Sequence, residues 1–164
     1  MRPPKPPEPD ERLHRDGQPA YDAPAPDRVE KSDAQWQREL DGVAYFILRT
    51  AGTERAFTGE HWDTRTPGLY RCAGCKTPLF VSEDKFDSGC GWPSFRRPVA
   101  ASHVDNRIDR SHGMVRTEVT CHACGGHLGH VFPDGPPPTG LRYCINSGAI
   151  ELVADAEPHD GVLP

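Results

Sequence analysis

No apolar run in this 164-residue chain is long enough to form a helix that crosses a bilayer; the longest, Val43 to Leu48, is six residues. Basic residues are not in excess either: 19 Lys and Arg stand against 24 Asp and Glu, a formal net charge of −5. With no basic stripe, the chain has no general attraction to nucleic acid or to an anionic membrane surface, and neither is expected as a partner. Met1-Arg2-Pro3-Pro4-Lys5 does not lead into an apolar segment. No secretory signal is therefore expected, and the cytoplasm is the expected location. A reducing compartment also suits thiols used for metal binding and catalysis better than permanent disulfides. The length permits one domain with its own core.

Six cysteines are present, and four of them form two knuckles, Cys72-Ala73-Gly74-Cys75 and Cys121-His122-Ala123-Cys124. Two such pairs can offer four thiolates to one tetrahedral Zn²⁺ at about 2.3 Å each. The knuckles lie too far apart for a compact zinc finger, so the ion would join distant parts of the chain and be structural. Separate dithiols, structural disulfides and a thioredoxin-like redox pair are the alternatives. The paired spacing argues against the first two, and neither pair opens an obvious βαβ helix.

Cys90 and Cys144 are left over. Cys144 lies in Gly140-Leu141-Arg142-Tyr143-Cys144-Ile145-Asn146-Ser147, a short alternating segment that reads as a strand. Leu141, Tyr143 and Ile145 would face a core, while Arg142, Cys144 and Asn146 share the other face. A cation and an amide beside a thiol suit a reactive sulfur, although an inert buried cysteine is the plain alternative. Cys90 sits between Gly89 and Gly91, on a turn expected to be mobile. That placement favours a redox-active pair. His127 and His130 are not needed by a full Cys₄ shell and are candidates for acid–base work. Trp92 could pack in the core or wall a small substrate group.

Residues 1–30 are rich in proline and charge and are expected to be a disordered extension. Residues 31–153 form the expected domain, and 154–164 a tail. Ser32 and Gln35 fit a capping box opening a short helix with Trp36 and Leu40 on one face. Val43–Leu48 fits a second helix or a buried strand. From Gly68 onward the pattern is mostly β: Leu69–Arg71, Leu79–Val81, Met114–Cys121, His127–Phe132 and Leu141–Val153. Pro133–Gly140 forms a constrained loop before the Cys144 strand. The expected fold is mainly β, an antiparallel zinc-containing domain with short N-terminal helices.

Four segments carry a resemblance. Phe86-Asp87-Ser88-Gly89-Cys90-Gly91-Trp92-Pro93-Ser94-Phe95, Arg116-Thr117-Glu118-Val119, His127 through Gly135, and Gly140 through Ser147 resemble the signatures of type B methionine sulfoxide reductases. The likeness runs in order from Trp36 to Leu152 and includes both knuckles. Gly148 departs from it, standing where the family usually has Ala. The resemblance implies reduction of methionine-R-sulfoxide, chiefly in oxidised proteins, with thioredoxin as electron donor and a structural zinc. This is a protein-repair activity in the oxidative stress response. By position it implies Cys144 as nucleophile, Cys90 as resolving cysteine, and Trp92, His127, His130, Arg142 and Asn146 as active-site residues. A Cys144 sulfenic acid would then be resolved as a Cys90–Cys144 disulfide. Arg142 is expected to lower the Cys144 pKa, and Asn146 to orient a histidine. Cys90 is expected to swing in on its glycines. The rival classes are a zinc-ribbon binding module, which leaves Cys90, Cys144 and the histidines without a role, and a general thiol–disulfide oxidoreductase.

Overall fold

A computed structural model describes residues 21–155; the expectations for 1–20 and 156–164 lie outside them. Ser32 caps helix α1 (Asp33–Glu39) in the expected capping box: its side chain accepts from Gln35 N, and the Gln35 side chain accepts from Ser32 N. Val43–Leu48 is helical. It lies within α2 (Gly42–Thr50), where Asp41 accepts from Ala44 N and Ala51 closes the helix in the left-handed region. The cap on each side decides between helix and strand where the apolar run could not. Trp36 is buried, with the Arg49 guanidinium 4.7 Å from its ring centroid.

Nine strands follow among the described residues: β1 (Gly68–Cys72), β2 (Pro78–Val81), β3 (Lys85–Phe86), β4 (Ser94–Phe95), β5 (Val104–Asp109), β6 (Arg116–Cys121), β7 (His127–Phe132), β8 (Arg142–Ile145) and β9 (Ile150–Ala154). They form two sheets, ordered β2-β1-β9 and β3-β4-β8-β7-β6-β5, and every described pairing is antiparallel. The expected mainly β architecture is therefore what the chain adopts. The expected strand Leu141–Val153 is broken: a 3₁₀ turn, Ser147–Ala149, sends β8 to one sheet and β9 to the other. Met114 and Val115 fall outside β6 and are exposed, following the turn Ser111–Gly113.

Aromatic side chains close the space between the sheets. Phe80 on β2 stacks on Phe95 of β4 at 4.4 Å, and Tyr70 on β1 meets the same ring edge-on at 5.2 Å. Tyr143, Ile145, Leu128, Val131 and Val119 complete the core from the larger sheet. Leu141, Tyr143 and Ile145 are thus buried as their alternation implies.

Residues 21–30, assigned by composition to the extension, lie against the body. Tyr21 is buried, its carbonyl accepts from Ala101 N, and Val29 N donates to Ala123 O at 2.8 Å. Two apolar anchors and backbone bonds suffice to hold a segment whose average composition is polar.

At Gly129 a Cβ would overlap the Cys144 carbonyl oxygen across the β7–β8 pair. Gly129→Ala should therefore cost about 3 kcal/mol of stability by forcing these strands apart. Gly42→Ala, at a helical position with nothing within 4 Å, should instead stabilise by about 0.5 kcal/mol. Urea denaturation of both variants measures the contrast.

Candidate active site

Strand β8 runs between β4 and β7, and its register fixes the neighbours of Cys144. Ser94 stands opposite Cys144 on one side and His130 on the other. Alternation alone would put His127 and His130 on opposite faces, because they are three residues apart. A bulge removes the conflict: the β6–β7 register shifts between Val119 and Thr120, so His127 pairs with Thr120 and His130 with Glu118. Both imidazoles then share the Cys144 face, with ring centroids 5.5 Å apart.

Each imidazole meets a carboxylate. His127 Nδ1 lies 2.6 Å from Glu118 Oε2, and Glu118 is also bound by Arg107 at 2.7 Å. His130 Nε2 lies 2.7 Å from Asp109 Oδ2. Burial lowers the His130 pKa below 6.5, with the Asp109 hydrogen bond opposing and the Arg116 charge reinforcing the shift. His130 is therefore mostly neutral at neutral pH. Asp109 and Glu118 are both held below the usual carboxylate range, in each case chiefly by the histidine bond.

The two remaining sulfurs meet. Cys90 Sγ lies 3.9 Å from Cys144 Sγ, and Ser88 Oγ donates to Cys90 Sγ at 2.9 Å. Gly89 and Gly91 do take positive φ values of 76° and 89°, but no swing is needed. A travel of about 2 Å closes the gap to a disulfide bond length. The pair holds one proton between two sulfurs. The bond from Cys144 pulls the Cys90 thiol down to about 4, despite burial. The same bond, then burial, pushes the Cys144 thiol up, although Arg142 acts in the lowering sense. The expectation that Arg142 leaves Cys144 with a lowered pKa is thus corrected: a neighbouring thiolate at contact distance outweighs a cation shared with Asp134. Arg142 grips that carboxylate through two bonds of 3.0 and 3.2 Å and lies over Phe132 at 4.5 Å.

A cavity of about 100 Å³ opens on the far side of Cys144, lined by Trp92, His130, Phe132, Asn146, Arg116 and Thr53 among others. Trp92 is half-buried rather than a core residue, and its Nε1–H donates to Glu54 O at 3.1 Å. Asn146 does not orient an imidazole directly. Its Nδ2 donates to Leu128 O, on the backbone between the two histidines, and its Oδ1 accepts from Glu54 N, both at 3.0 Å. Of the expected residues, the structure brings Cys144, Cys90, Trp92, His130, His127, Arg142 and Asn146 to one face. Asp109, Arg116, Glu118, Asp134 and Glu54 were not singled out. Glu118 had a visible signal, alternation with Arg116 on the polar face of a strand. Glu54 and Asp109 had none, because their partners are distant in sequence.

Cys72, Cys75, Cys121 and Cys124 converge elsewhere, with sulfur atoms all within 4.8 Å of one another. Cys72 to Cys124 is 3.8 Å and Cys75 to Cys121 is 3.5 Å. A tetrahedral ion with bonds of about 2.3 Å sets its sulfurs about 3.8 Å apart, so the four could hold such an ion. Gly74 N and Gly126 N each donate to a knuckle sulfur at 3.4 Å, the kind of bond that stabilises thiolate. The cluster joins the β1–β2 hairpin of one sheet to the β6–β7 hairpin of the other.

Known proteins resemble this chain over most of its length. A family model described as the SelR domain matches residues 40–154. The chain is 62% identical to the peptide methionine sulfoxide reductase MsrB of Agrobacterium fabrum over 119 residues, 73% of this chain and 88% of that protein. The MsrB of Thiobacillus denitrificans is 63% identical over 122 residues, 74% and 92% of the two chains. That of Acinetobacter baumannii is 53% identical over 137 residues, 84% and 99%.

Two outcomes follow from the thiols. Cys72→Ser should hold less metal than wild type, measured by elemental analysis, and should lose about 4 kcal/mol of stability, measured by denaturation. Alkylation of Cys90 by iodoacetamide should persist as pH falls and fade only as the pair takes up its second proton, near pH 4. In Cys144→Ala the main lowering cause is gone, so the midpoint should move to higher pH; mass mapping of alkylated peptides reads both.

Proposed function

The chain belongs to the SelR-domain family of MsrB proteins, and on that premise we propose that it reduces methionine-R-sulfoxide, mainly in oxidised proteins, to methionine. The observation that carries the reading is the 3.9 Å approach of Cys90 to Cys144 beside a small cavity walled by Trp92 and His130. A thiol that lines a small hollow with an apolar wall, with a second thiol at contact distance, suits an oxidant with a methyl group on its sulfur.

The Cys144 thiolate attacks the sulfoxide sulfur while a proton reaches the oxygen. The S–S bond so formed and the substrate S–O bond then break as the protonated oxygen passes to Cys144: methionine leaves with its sulfur reduced by two electrons, and Cys144 is oxidised by two to a sulfenic acid. Cys90 attacks that sulfur, the S–O bond breaks, and water departs as the Cys90–Cys144 disulfide forms. A dithiol, thioredoxin in the cell, then returns both thiols by exchange. His130 lines the cavity and stands opposite Cys144, so it is the better placed acid; although mostly neutral at rest, it donates from the fraction that carries a second proton, which the Asp109 carboxylate favours. His127 is turned to Glu118 and supports the row. Before attack the shared proton must settle on Cys90, leaving the charge on Cys144, where Arg142 favours it. Trp92 supplies an apolar wall for the S-methyl group.

The sulfur cluster is assigned to one zinc ion. Four thiolates match its preferred donors and fill its shell, so its contribution is structural. No described helix is long and apolar enough to cross a membrane; the location proposed for the enzyme is the cytoplasm.

Metal-loaded protein incubated with each epimer of a methionine sulfoxide and dithiothreitol tests the reading. The R epimer should be consumed and the S epimer left; consumption of neither would refute the activity. Cys144→Ser should abolish it. Cys90→Ser should still release about one methionine per chain, leave a sulfenic acid trappable by dimedone, and lose turnover with thioredoxin.

A further inference from the structure

Asn146 occupies the N-cap position of the 3₁₀ turn Ser147–Ala149, yet its side chain makes no capping bond there. An asparagine at such a position ordinarily turns its amide oxygen onto the free N–H groups of the turn. Here both ends of the amide are committed elsewhere, Oδ1 to Glu54 N and Nδ2 to Leu128 O. The N–H groups it leaves are taken by the carboxylate of Glu54. Ser147 N donates to Oε2 and Gly148 N to Oε1, each at 2.9 Å, from 93 and 94 residues away in sequence. The Glu54 carbonyl oxygen accepts the Trp92 indole N–H at 3.1 Å.

All four polar atoms of Glu54 are therefore used, and every bond ends on a cavity residue or on the turn leaving the Cys144 strand. We propose that Glu54 is a positioning residue for the sulfoxide site: it caps this turn in place of Asn146, so that the Asn146 amide and the Trp92 indole stay set in the cavity. The inference rests on the proposed reductase activity and deepens it. A charged acceptor is needed because two N–H groups must be met at once, and a carboxylate has two oxygens for them. Removing it orphans both donors. The Asn146 amide is then the nearest substitute cap, and taking that role breaks its bonds to Glu54 N and Leu128 O. The cavity wall loosens on the side where sulfoxide binds.

Neither sulfur of the thiol pair hydrogen-bonds to Glu54. Cys144 is held by the β4–β8 and β7–β8 pairings, and Cys90 by Ser88 and Ser94. Loss of the carboxylate should thus separate two oxidants that meet the same Cys144. Methionine sulfoxide needs the cavity. Hydrogen peroxide does not: it oxidises Cys144 to the sulfenic acid with loss of hydroxide, and Cys90 then forms the disulfide with loss of water.

The test uses the full chain as wild type, Glu54→Ala and Glu54→Gln. It compares kcat/KM for methionine-R-sulfoxide with the rate of peroxide-driven disulfide formation. Glu54→Ala should lower kcat/KM about 100-fold and leave the peroxide reaction within about 2-fold of wild type. Glu54→Gln, keeping one acceptor oxygen, should recover about 10-fold of the loss; it is read the same way should the alanine variant fold poorly. Unchanged kcat/KM in either folded variant, or an equal fall with both oxidants, would overturn the inference. Wild type that leaves both epimers untouched while forming the disulfide with peroxide would overturn the reductase reading, and the role of Glu54 with it; that outcome is seen without any variant.

Discussion

One row of side chains crosses the larger sheet, and the register that makes it governs the chemistry. Ser94, Cys144, His130, Glu118 and Arg107 stand opposite one another on five successive strands. Neighbouring strands are about 4.8 Å apart, so each member is in reach of the next. Ser94 contacts Cys90, which brings the second sulfur to one side of Cys144; His130 borders the cavity on the other. A slip of one residue in β8 would turn Cys144 into the aromatic core and expose Tyr143. Burial of Leu141, Tyr143 and Ile145 resists that slip, so the same alternation that builds the core presents the thiol.

The sulfur cluster serves the same register from outside it. The second knuckle is the turn between β6 and β7, the strands that carry Glu118, His127 and His130. Binding that turn to the β1–β2 hairpin fixes where β7 begins, and with it the bulge that brings both histidines to one face. A chain of this length has a modest core, and a four-sulfur clamp between two sheets gives a cross-link that packing alone would have to replace. A metal held by these sulfurs would thus be linked to the Cys144 site through strand position, without any shared ligand.

What the residues disclosed and what they concealed divides by range. The face of Cys144, the capping box at Ser32 and the grouping of four knuckle cysteines depend on alternation, helix spacing and paired motifs, and all three were readable. The pairing of His127 with His130 across a three-residue gap depends on a bulge defined only against β6. The burial of Tyr21 depends on contacts with residues 99–101, far along the chain. Gly148 illustrates the same limit. A Cβ there would come within 2.6 Å of Ile47 and 2.8 Å of Val43 on α2. In this chain Ile47 and Val43 occupy the space a methyl group would fill.

The arrangement of the two thiols also answers a problem inherent in the proposed cycle. A sulfenic acid exposed to more oxidant proceeds to irreversible acids, so the resolving thiol must arrive before a second oxidant does. A resolver on a long mobile arm would leave an interval for that reaction. Here Cys90 waits at contact distance, and its cost is electrostatic: while it holds the thiolate, Cys144 keeps the proton and is a poor nucleophile. Attack therefore requires the proton to cross from Cys144 to Cys90, a shift over one S–H···S contact in which Arg142 favours the product. The fold thereby accepts a less reactive resting thiol in exchange for prompt capture of the oxidised one, and the 3.9 Å separation is where that compromise is set.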